Sequence, residues 1–264
     1  MKPSLEQVEA WAKEAGAILR EGYGKTHQVQ LKGAVDLVTE IDHRSEALLI
    51  DRIQSAFPHH TIIAEESGLR SGQKEHCWYI DPLDGTLNYA HGLPLFAVSI
   101  AYAEYDQVML AVVYEPMRDE CYSAERGKGA WLNGEPIHVS QQTTLISSLF
   151  VTGFPSVDWT TDQNNVRYFE RVSRLSQGVR RLGSAALDLC YVAAGRLDGF
   201  WENRLMPYDM AAGMLIVAEA GGTVTTILGE PNYLTPPYSV LAANAAIHPQ
   251  LLQVLQDVRA TKPT

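Results

Sequence analysis

At 264 residues, with 46% hydrophobic residues, the chain has apolar material for a sizeable core, as one large domain or two small ones. Its formal net charge is −10, with no basic run and no basic–aromatic interleaving, which argues against nucleic acid as a partner because phosphate backbones need a positive stripe. It has no apolar run of the roughly 18 residues that a membrane-spanning helix needs.

The N-terminus, Met1-Lys2-Pro3-Ser4-Leu5-Glu6-Gln7, turns polar at once and lacks the apolar region of a signal peptide. Ser4 and Gln7 then read as a capping box. Leu5, Val8, Ala12, Ala15 and Leu19 repeat at helical spacing, and Gly22 and Gly24 end the run. A polar–apolar stretch from Val29 to Lys32 leads through Gly33 to Val35-Asp36-Leu37-Val38-Thr39. A second helix is predicted from Glu40 to Phe57, with Ile41, Leu48, Leu49 and Ile53 inward and Pro58 as its stop. Thr61 to Ala64 reads as a brief buried strand ending on Glu65-Glu66, and His59-His60, just before it, is expected at the surface.

Three β-rich runs follow, Phe96 to Ala103, Val108 to Tyr114 and Glu120 to Ser123. Their short polar connections predict antiparallel pairing. Asn133-Gly134 is a tight-turn signal. Helices are predicted over Asn164 to Ser176, Ala185 to Ala194, Asp209 to Ala220 and Pro249 to Val258. Strands are predicted at Leu197 to Trp201, Gly222 to Ile227 and Ser239 to Ala243. This order suits mixed sheets with helices laid on their faces. Cys77, Cys121 and Cys190 have the spacing of neither a disulfide framework nor a zinc site, so a cytoplasmic protein with reduced thiols is expected.

The most informative stretch is Asp81-Pro82-Leu83-Asp84-Gly85-Thr86-Leu87-Asn88, preceded by the apolar Cys77-Trp78-Tyr79-Ile80. Taken alone it is ordinary turn chemistry, since Pro presets φ and Asp bonds its own backbone. Three further features weigh against that reading. Glu65-Glu66 also ends an apolar strand, although such a pair is usually a solvated rim. Asp209 opens an apolar helix, where an acid often does no more than cap. Thr86 follows Gly85 at a helix start, where free N–H groups suit an anion. Carboxylates delivered from three element ends make an all-oxygen donor set, which suits Mg²⁺ with water and phosphate as its other ligands. Metal-assisted phosphate hydrolysis is the chemistry that fits.

These residues resemble the inositol monophosphatase family. Asp81 to Asn88 is similar to its D-P-I/L-D-G-T-x-N signature, and Asp209-Met210-Ala211-Ala212-Gly213 to its W-D-x-A-A/G-G signature. Asp36 to Asp42, Ala64-Glu65-Glu66-Ser67 and Leu182-Gly183-Ser184-Ala185-Ala186 are similar to three further family stretches, in order along nearly the whole chain. The resemblance implies an α/β (α+β) fold, a layered α-β-α-β-α sandwich. It implies one domain over 1–264, its soft halves of about 1–145 and 146–264 flanking the cleft. It also implies a homodimer and a lithium-sensitive, Mg²⁺-dependent phosphomonoesterase with two to three ions.

By position, the resemblance assigns Glu65, Asp81 and the Leu83 carbonyl to a first metal, and Asp81, Asp84 and Asp209 to a second. Glu65 would help hold a third. Thr86, oriented by Asp42, would position the attacking water, and Glu66 would fix the water network. The Gly85 and Thr86 amides would hold phosphate. Asp84, Ala185 and Glu202 would contact the substrate, and Lys32 would lie on a loop near the outer metal. The substrate implied is inositol monophosphate. Tyr208, where the signature has Trp, resembles instead the histidinol-phosphate phosphatase branch. A sugar or nucleotide bisphosphate phosphatase is a further alternative. A catalytically inactive regulatory homologue would be expected to lack one of these acids or Thr86.

Overall fold

The computed structural model describes residues 2–25, 29–31, 37–154, 165–232 and 234–261. Helix α1, Leu5–Gly22, starts as its capping signal predicts, with Ser4 Oγ accepting from the Gln7 N–H at 3.2 Å. An antiparallel pair, β1 (Val29–Leu31) and β2 (Leu37–Thr39), leads into α2 (Glu40–Ala56). Thr39 Oγ1 caps α2 by accepting from the Ile41 N–H, and Asp42 accepts from the Thr39 N–H at 2.9 Å and its hydroxyl at 2.6 Å. Leu48, expected inward, is only half-buried, whereas the polar Asp42, Ser45 and Glu46 are buried.

The first sheet begins with β3 (His60–Ala64), β4 (Gly68–Arg70) and β5 (Gln73–Asp84). A one-turn helix, α3 (Thr86–Ala90), precedes β6 (Ala97–Glu104), β7 (Gln107–Glu115) and β8 (Glu120–Glu125). The short β9 (Gly129–Leu132) and β10 (Glu135–Pro136) complete it, joined by Asn133-Gly134 with both residues at positive φ, as the turn signal predicts. The spatial order is β10-β9-β8-β7-β6-β5-β3-β4, antiparallel except for the parallel β3–β5 pair.

The second sheet takes β11 (Leu149–Thr152), then, after α4 (Val166–Ser173), β12 (Gly178–Arg180). Helix α5 (Ala185–Ala193), β13 (Gly199–Asn203), α6 (Pro207–Glu219), β14 (Thr223–Thr225), β15 (Ser239–Ala243) and α7 (His248–Ala260) follow. Its order is β12-β11-β13-β15-β14. Several boundaries differ from expectation; β14, for example, covers only three residues of the strand expected over 222–227. Helix α4 is shorter than 164–176, because the chain turns at Leu175, whose N–H reaches back to Val172. Strand β13 starts two residues late, because the Leu197 N–H is spent closing the end of α5 on the Tyr191 carbonyl.

Strand alternation builds the layers. Trp78 and Ile80 of β5 face α1 and α2, while Cys77 and Tyr79 face α5 and α6. Phe200 of β13 and Val240 of β15 face the same two helices from the other side, and Trp201 and Leu241 pack instead with α4 and α7. The stack therefore reads α1/α2, first sheet, α5/α6, second sheet, α4/α7, the α-β-α-β-α sandwich. His60 corrects the surface expectation for the His59-His60 pair. It is half-buried, accepts the Trp78 Nε1–H at 3.1 Å on Nδ1, and stacks on Phe57 and His76.

Candidate active site

The acidic motif sits where β5 ends. Asp81 is buried, and its Oδ1 accepts the Leu83 N–H at 3.0 Å, which is the turn chemistry that Asp before Pro supplies. Residues three apart on a regular strand point to opposite faces. Between Asp81 and Asp84 the β5–β6 register shifts, pairing Asp81 with Ser99 and Asp84 with Ala97. The extra residue of that bulge turns the two carboxylates toward one another. Gly85 then takes φ +96°, and a Cβ there would stand 2.8 Å from the Leu95 carbonyl. Both the left-handed backbone and that close approach require glycine, whatever else binds beside it.

Thr86 Oγ1 lies 3.1 Å from Asp42 Oδ1 and 3.0 Å from the Leu83 carbonyl. The other Asp42 oxygen is held by Thr39, so the threonine at the head of α3 and the acid at the head of α2 form one fixed unit. Asp84 Oδ2 accepts from the Ser184 hydroxyl and from the Ala186 N–H at 2.8 Å, which places an anion at the first turn of α5. Asp209 serves α6 in the same way, accepting the Met206 N–H at 2.7 Å. Glu65 continues β3 beside β5, with its N–H on the Ile80 carbonyl. Asn88 ties α3 to the loop before α5 by donating to the Leu95 and Leu182 carbonyls.

These acids raise one another's proton affinity. Burial, then Glu65, Asp84 and Asp209, hold the Asp81 carboxyl well above the ordinary range. Burial also holds Asp209 well above it, against the Met206 N–H, with Asp84 and Glu65 adding to the effect. Asp84 is pushed up only to about 6, because the Ser184 and Ala186 donors oppose its burial. Among the described residues, no three His, Cys, Asp or Glu side chains converge tightly enough to hold an ion unaided. The donor set, hard carboxylate oxygens beside the Leu83 carbonyl, is nonetheless that of a cation which keeps water and ligand oxygens in its shell.

Beyond the acids a cavity of about 180 Å³ opens, lined by Asp84, Ser184, Ala185, Asp188, Glu202 and Asp209 among others. Glu202 is buried against Gly153, and burial together with Asp84 pushes its carboxyl up to about 8. Tyr208 packs at the margin of the core, its hydroxyl raised by burial and by Asp209, Glu65 and Asp81. Glu66 is half-buried at the end of β3, and its N–H is held by Glu46 of α2 at 2.8 Å. Lys32 and Asp36 lie outside the described residues.

Sequence reasoning assigned no role to three residues here, Ser184 having been named only within the Leu182 to Ala186 stretch. Ser184 fixes Asp84, and Glu46 braces the turn after Glu65 by accepting the Glu66 and Ser67 N–H groups. Asp188 is buried on the cavity wall with no hydrogen-bond partner for Oδ1 among the described residues, its carboxyl held well above the ordinary range by burial, Glu202 and Asp84. Its signal was available: it is a lone acid in the otherwise apolar Ala185–Ala193 helix, one turn below Ser184.

The inositol monophosphatase family pattern matches residues 1–260. The chain belongs to the inositol monophosphatase family. It is thereby an enzyme of the phosphoric monoester hydrolase class. A Synechocystis relative named inositol-1-monophosphatase is 48% identical over 244 residues, covering 91% of this chain and 84% of its own. An Escherichia coli relative named Nus factor SuhB is 42% identical over 263 residues, covering 97% of each. The crystal structure of the extragenic suppressor protein suhB from Bartonella henselae superposes with a TM-score of 0.90 at 38% identity, covering 95% of this chain and 97% of that one.

Proposed function

We propose that this family member hydrolyses inositol monophosphate to inositol and phosphate, with Mg²⁺ required. The observation that carries the reading is the meeting of the buried Asp81 with the half-buried Asp84 and Asp209, mutually repelling, beside the fixed Thr86–Asp42 pair. Without cations such a cluster would repel a phosphate dianion. Glu65, Asp81 and the Leu83 carbonyl would hold one Mg²⁺, Asp81, Asp84 and Asp209 a second, and Glu65 would share a third. When bound there, such ions would supply screening of the phosphate charge, acidification of water and stabilisation of the leaving alkoxide.

The chain's own groups do the positioning. The Thr86 hydroxyl donates toward Asp42 and keeps a lone pair to accept a hydrogen bond from water, which turns that water's free pair toward phosphorus. Asp42 holds Thr86 because Thr39 holds Asp42. Glu66 would order the water network at the end of β3. The N–H groups of Gly85 and Thr86, at the head of α3, receive phosphate oxygens. On the cavity side Asp84, the Ala185 backbone and Glu202 receive the hydroxyls of the polyol ring. Lys32 would act on a loop near the outer ion. A single domain over 1–264, a homodimer and lithium sensitivity belong to the same reading and rest on the family resemblance alone, while a cytoplasmic location rests on the spacing of the three cysteines and the polar N-terminus.

The test is phosphate release from myo-inositol 1-phosphate, histidinol phosphate, fructose bisphosphate and adenosine bisphosphate, with Mg²⁺ and with excess chelator. Inositol phosphate should turn over best and only with the metal. Undiminished turnover in chelator would sink the metal mechanism. A preference for histidinol phosphate would make Tyr208 the better guide to the substrate.

A further inference from the structure

A second and larger cavity, of about 550 Å³, lies on the far side of β13 from the candidate active site. Successive side chains of a strand point to opposite faces. Glu202 lines the catalytic cavity, and its neighbour Asn203 lines the second one, so the two cavities stand back to back and share no lining residue. A volume of this size suits one ligand of mononucleotide dimensions, since small-molecule sites commonly span about 300–1,000 Å³.

Its lining runs against the charge of the chain. In a protein of net charge −10, the described residues around this cavity include three arginines, Arg167, Arg204 and Arg259, and one carboxylate, Glu230. The local balance is three minus one, or +2. Tyr168 is buried in the wall, and its hydroxyl has no hydrogen-bond partner among the described residues. Arg259 and Arg167 both lie close enough to act on that hydroxyl electrostatically. Arg167 is braced by donating from Nη2 to the Thr261 carbonyl at 2.6 Å and to its hydroxyl at 3.1 Å, which leaves the other edge of its fork available. Arg259 has no ion-pair partner among the described residues. The remaining wall mixes small polar side chains with an apolar part made by Ile227, Leu228, Pro236 and Pro237.

We propose that this cavity is a second ligand site, for a phosphorylated small molecule with an apolar or aromatic body. The Arg167 and Arg259 forks would bind the phosphate, as planar guanidinium groups do, with the Tyr168 O–H as a further donor. The Ile227–Leu228 and Pro236–Pro237 walls would cover the organic body. The site requires no metal, which separates it from the acidic cavity, where an anion would meet carboxylates.

Calorimetry with adenosine 5′-phosphate, adenosine and inorganic phosphate, in excess chelator, tests this on the intact chain. Adenosine 5′-phosphate should bind one equivalent, and both adenosine and inorganic phosphate should bind at least about tenfold more weakly, because each lacks half of the recognition. Arg167→Ala and Arg259→Ala should each weaken binding about tenfold, Arg259→Lys less, because an ammonium keeps charge but not the fork. Tyr168→Phe should weaken it about threefold, at the low end for one hydrogen bond. Glu202→Ala should leave it unchanged. Absence of binding at millimolar nucleotide would overturn the proposal. So would binding that survives both arginine variants but is lost in Glu202→Ala, which would place the nucleotide in the catalytic cavity. Equal affinity for inorganic phosphate would refute the claimed organic body.

Discussion

Two buried polar regions of this molecule meet the same physical problem in opposite ways. Around Trp78, at the β3 side of the first sheet, each polar atom that leaves water finds a partner. Trp78 Nε1 donates to His60, His76 pairs with the Tyr102 hydroxyl at 2.7 Å, and Tyr102 donates to Glu104, which Lys2 also reaches. Burial and the neighbouring His76 push the His60 imidazole down to about 4, so the ring is kept neutral. At the end of β5, by contrast, the buried Asp81 and the half-buried Asp84 and Asp209 crowd against other acids, and their proton affinity rises. Burying a charge without an opposite partner is costly, and a fold keeps such a cluster where something else completes it. The first region is a finished piece of core, and the second is the place where the proposed cations would complete the structure.

The strongest break of this contrast is Trp78→Ala. Trp78 is fully buried, with ring centroids 4.9 Å from Tyr102, 5.8 Å from Phe57 and 5.9 Å from Trp11. Its loss should cost about 3–5 kcal/mol in urea unfolding. The fraction still folded should keep its kcat, and a large kcat loss at unchanged stability would mean that the two regions are not separable. Asp84→Asn should do the reverse. Turnover should fall on the order of 10²-fold or more, as when a charge-stabilising group is removed. The metal-free protein should melt higher, because an amide can still accept from Ser184 and Ala186 without adding charge to the cluster. Near-native turnover in the folded variant would reduce Asp84 to a turn residue.

A smaller effect is expected at Glu202, which lies at the edge of the acid cluster. Glu202→Ala should lower kcat/KM for myo-inositol 1-phosphate about tenfold, mostly through KM, equivalent to about 1.4 kcal/mol. p-Nitrophenyl phosphate, which lacks ring hydroxyls, should change far less, and equal losses on both would move Glu202 into support of the metal cluster.

A separate effect is a pair of pH slopes in the metal-free protein. Glu202, raised to about 8, contributes stability that is complete below the ordinary carboxylate range and is lost as pH rises through 8. His60, lowered to about 4, contributes stability that is present above the ordinary imidazole value and is lost as pH falls through 4. Melting curves of Glu202→Gln should therefore lack the fall in stability between the ordinary carboxylate range and pH 8, and those of His60→Gln the fall between the ordinary imidazole value and pH 4. Identical curves for wild type and both variants would show that neither group titrates with unfolding.

Much of this was legible along the chain, and for a local reason in each case. The Ser4 cap, the Asn133-Gly134 turn and the helical spacing of Val8, Ala12, Ala15 and Leu19 depend on neighbours within a few residues. The Asp81 to Asn88 stretch announced its acids because a turn of Asp, Pro and Gly after an apolar strand is visible in one dimension. The His60 stack was not legible, since His76, Trp78 and Tyr102 reach it only through the β3–β5–β6 pairing. Ser184 and Glu46 were missed because the atoms they hold, in Asp84 and the Glu66 turn, lie 100 and 20 residues away.

By itself the sequence determined which element ends carry the acids, because strand and helix ends are set by short-range dihedral preferences and capping. Tertiary structure alone decided that those ends meet. The β5 bulge turns Asp81 and Asp84 to one side, the α5 N-terminus fixes Asp84, and α6 brings in Asp209. It also decided that β13 presents Glu202 to one cavity and Asn203 to another. A strand's alternation is written in its sequence, but what waits on each face depends on the layers packed there, and packing is settled by the whole chain at once.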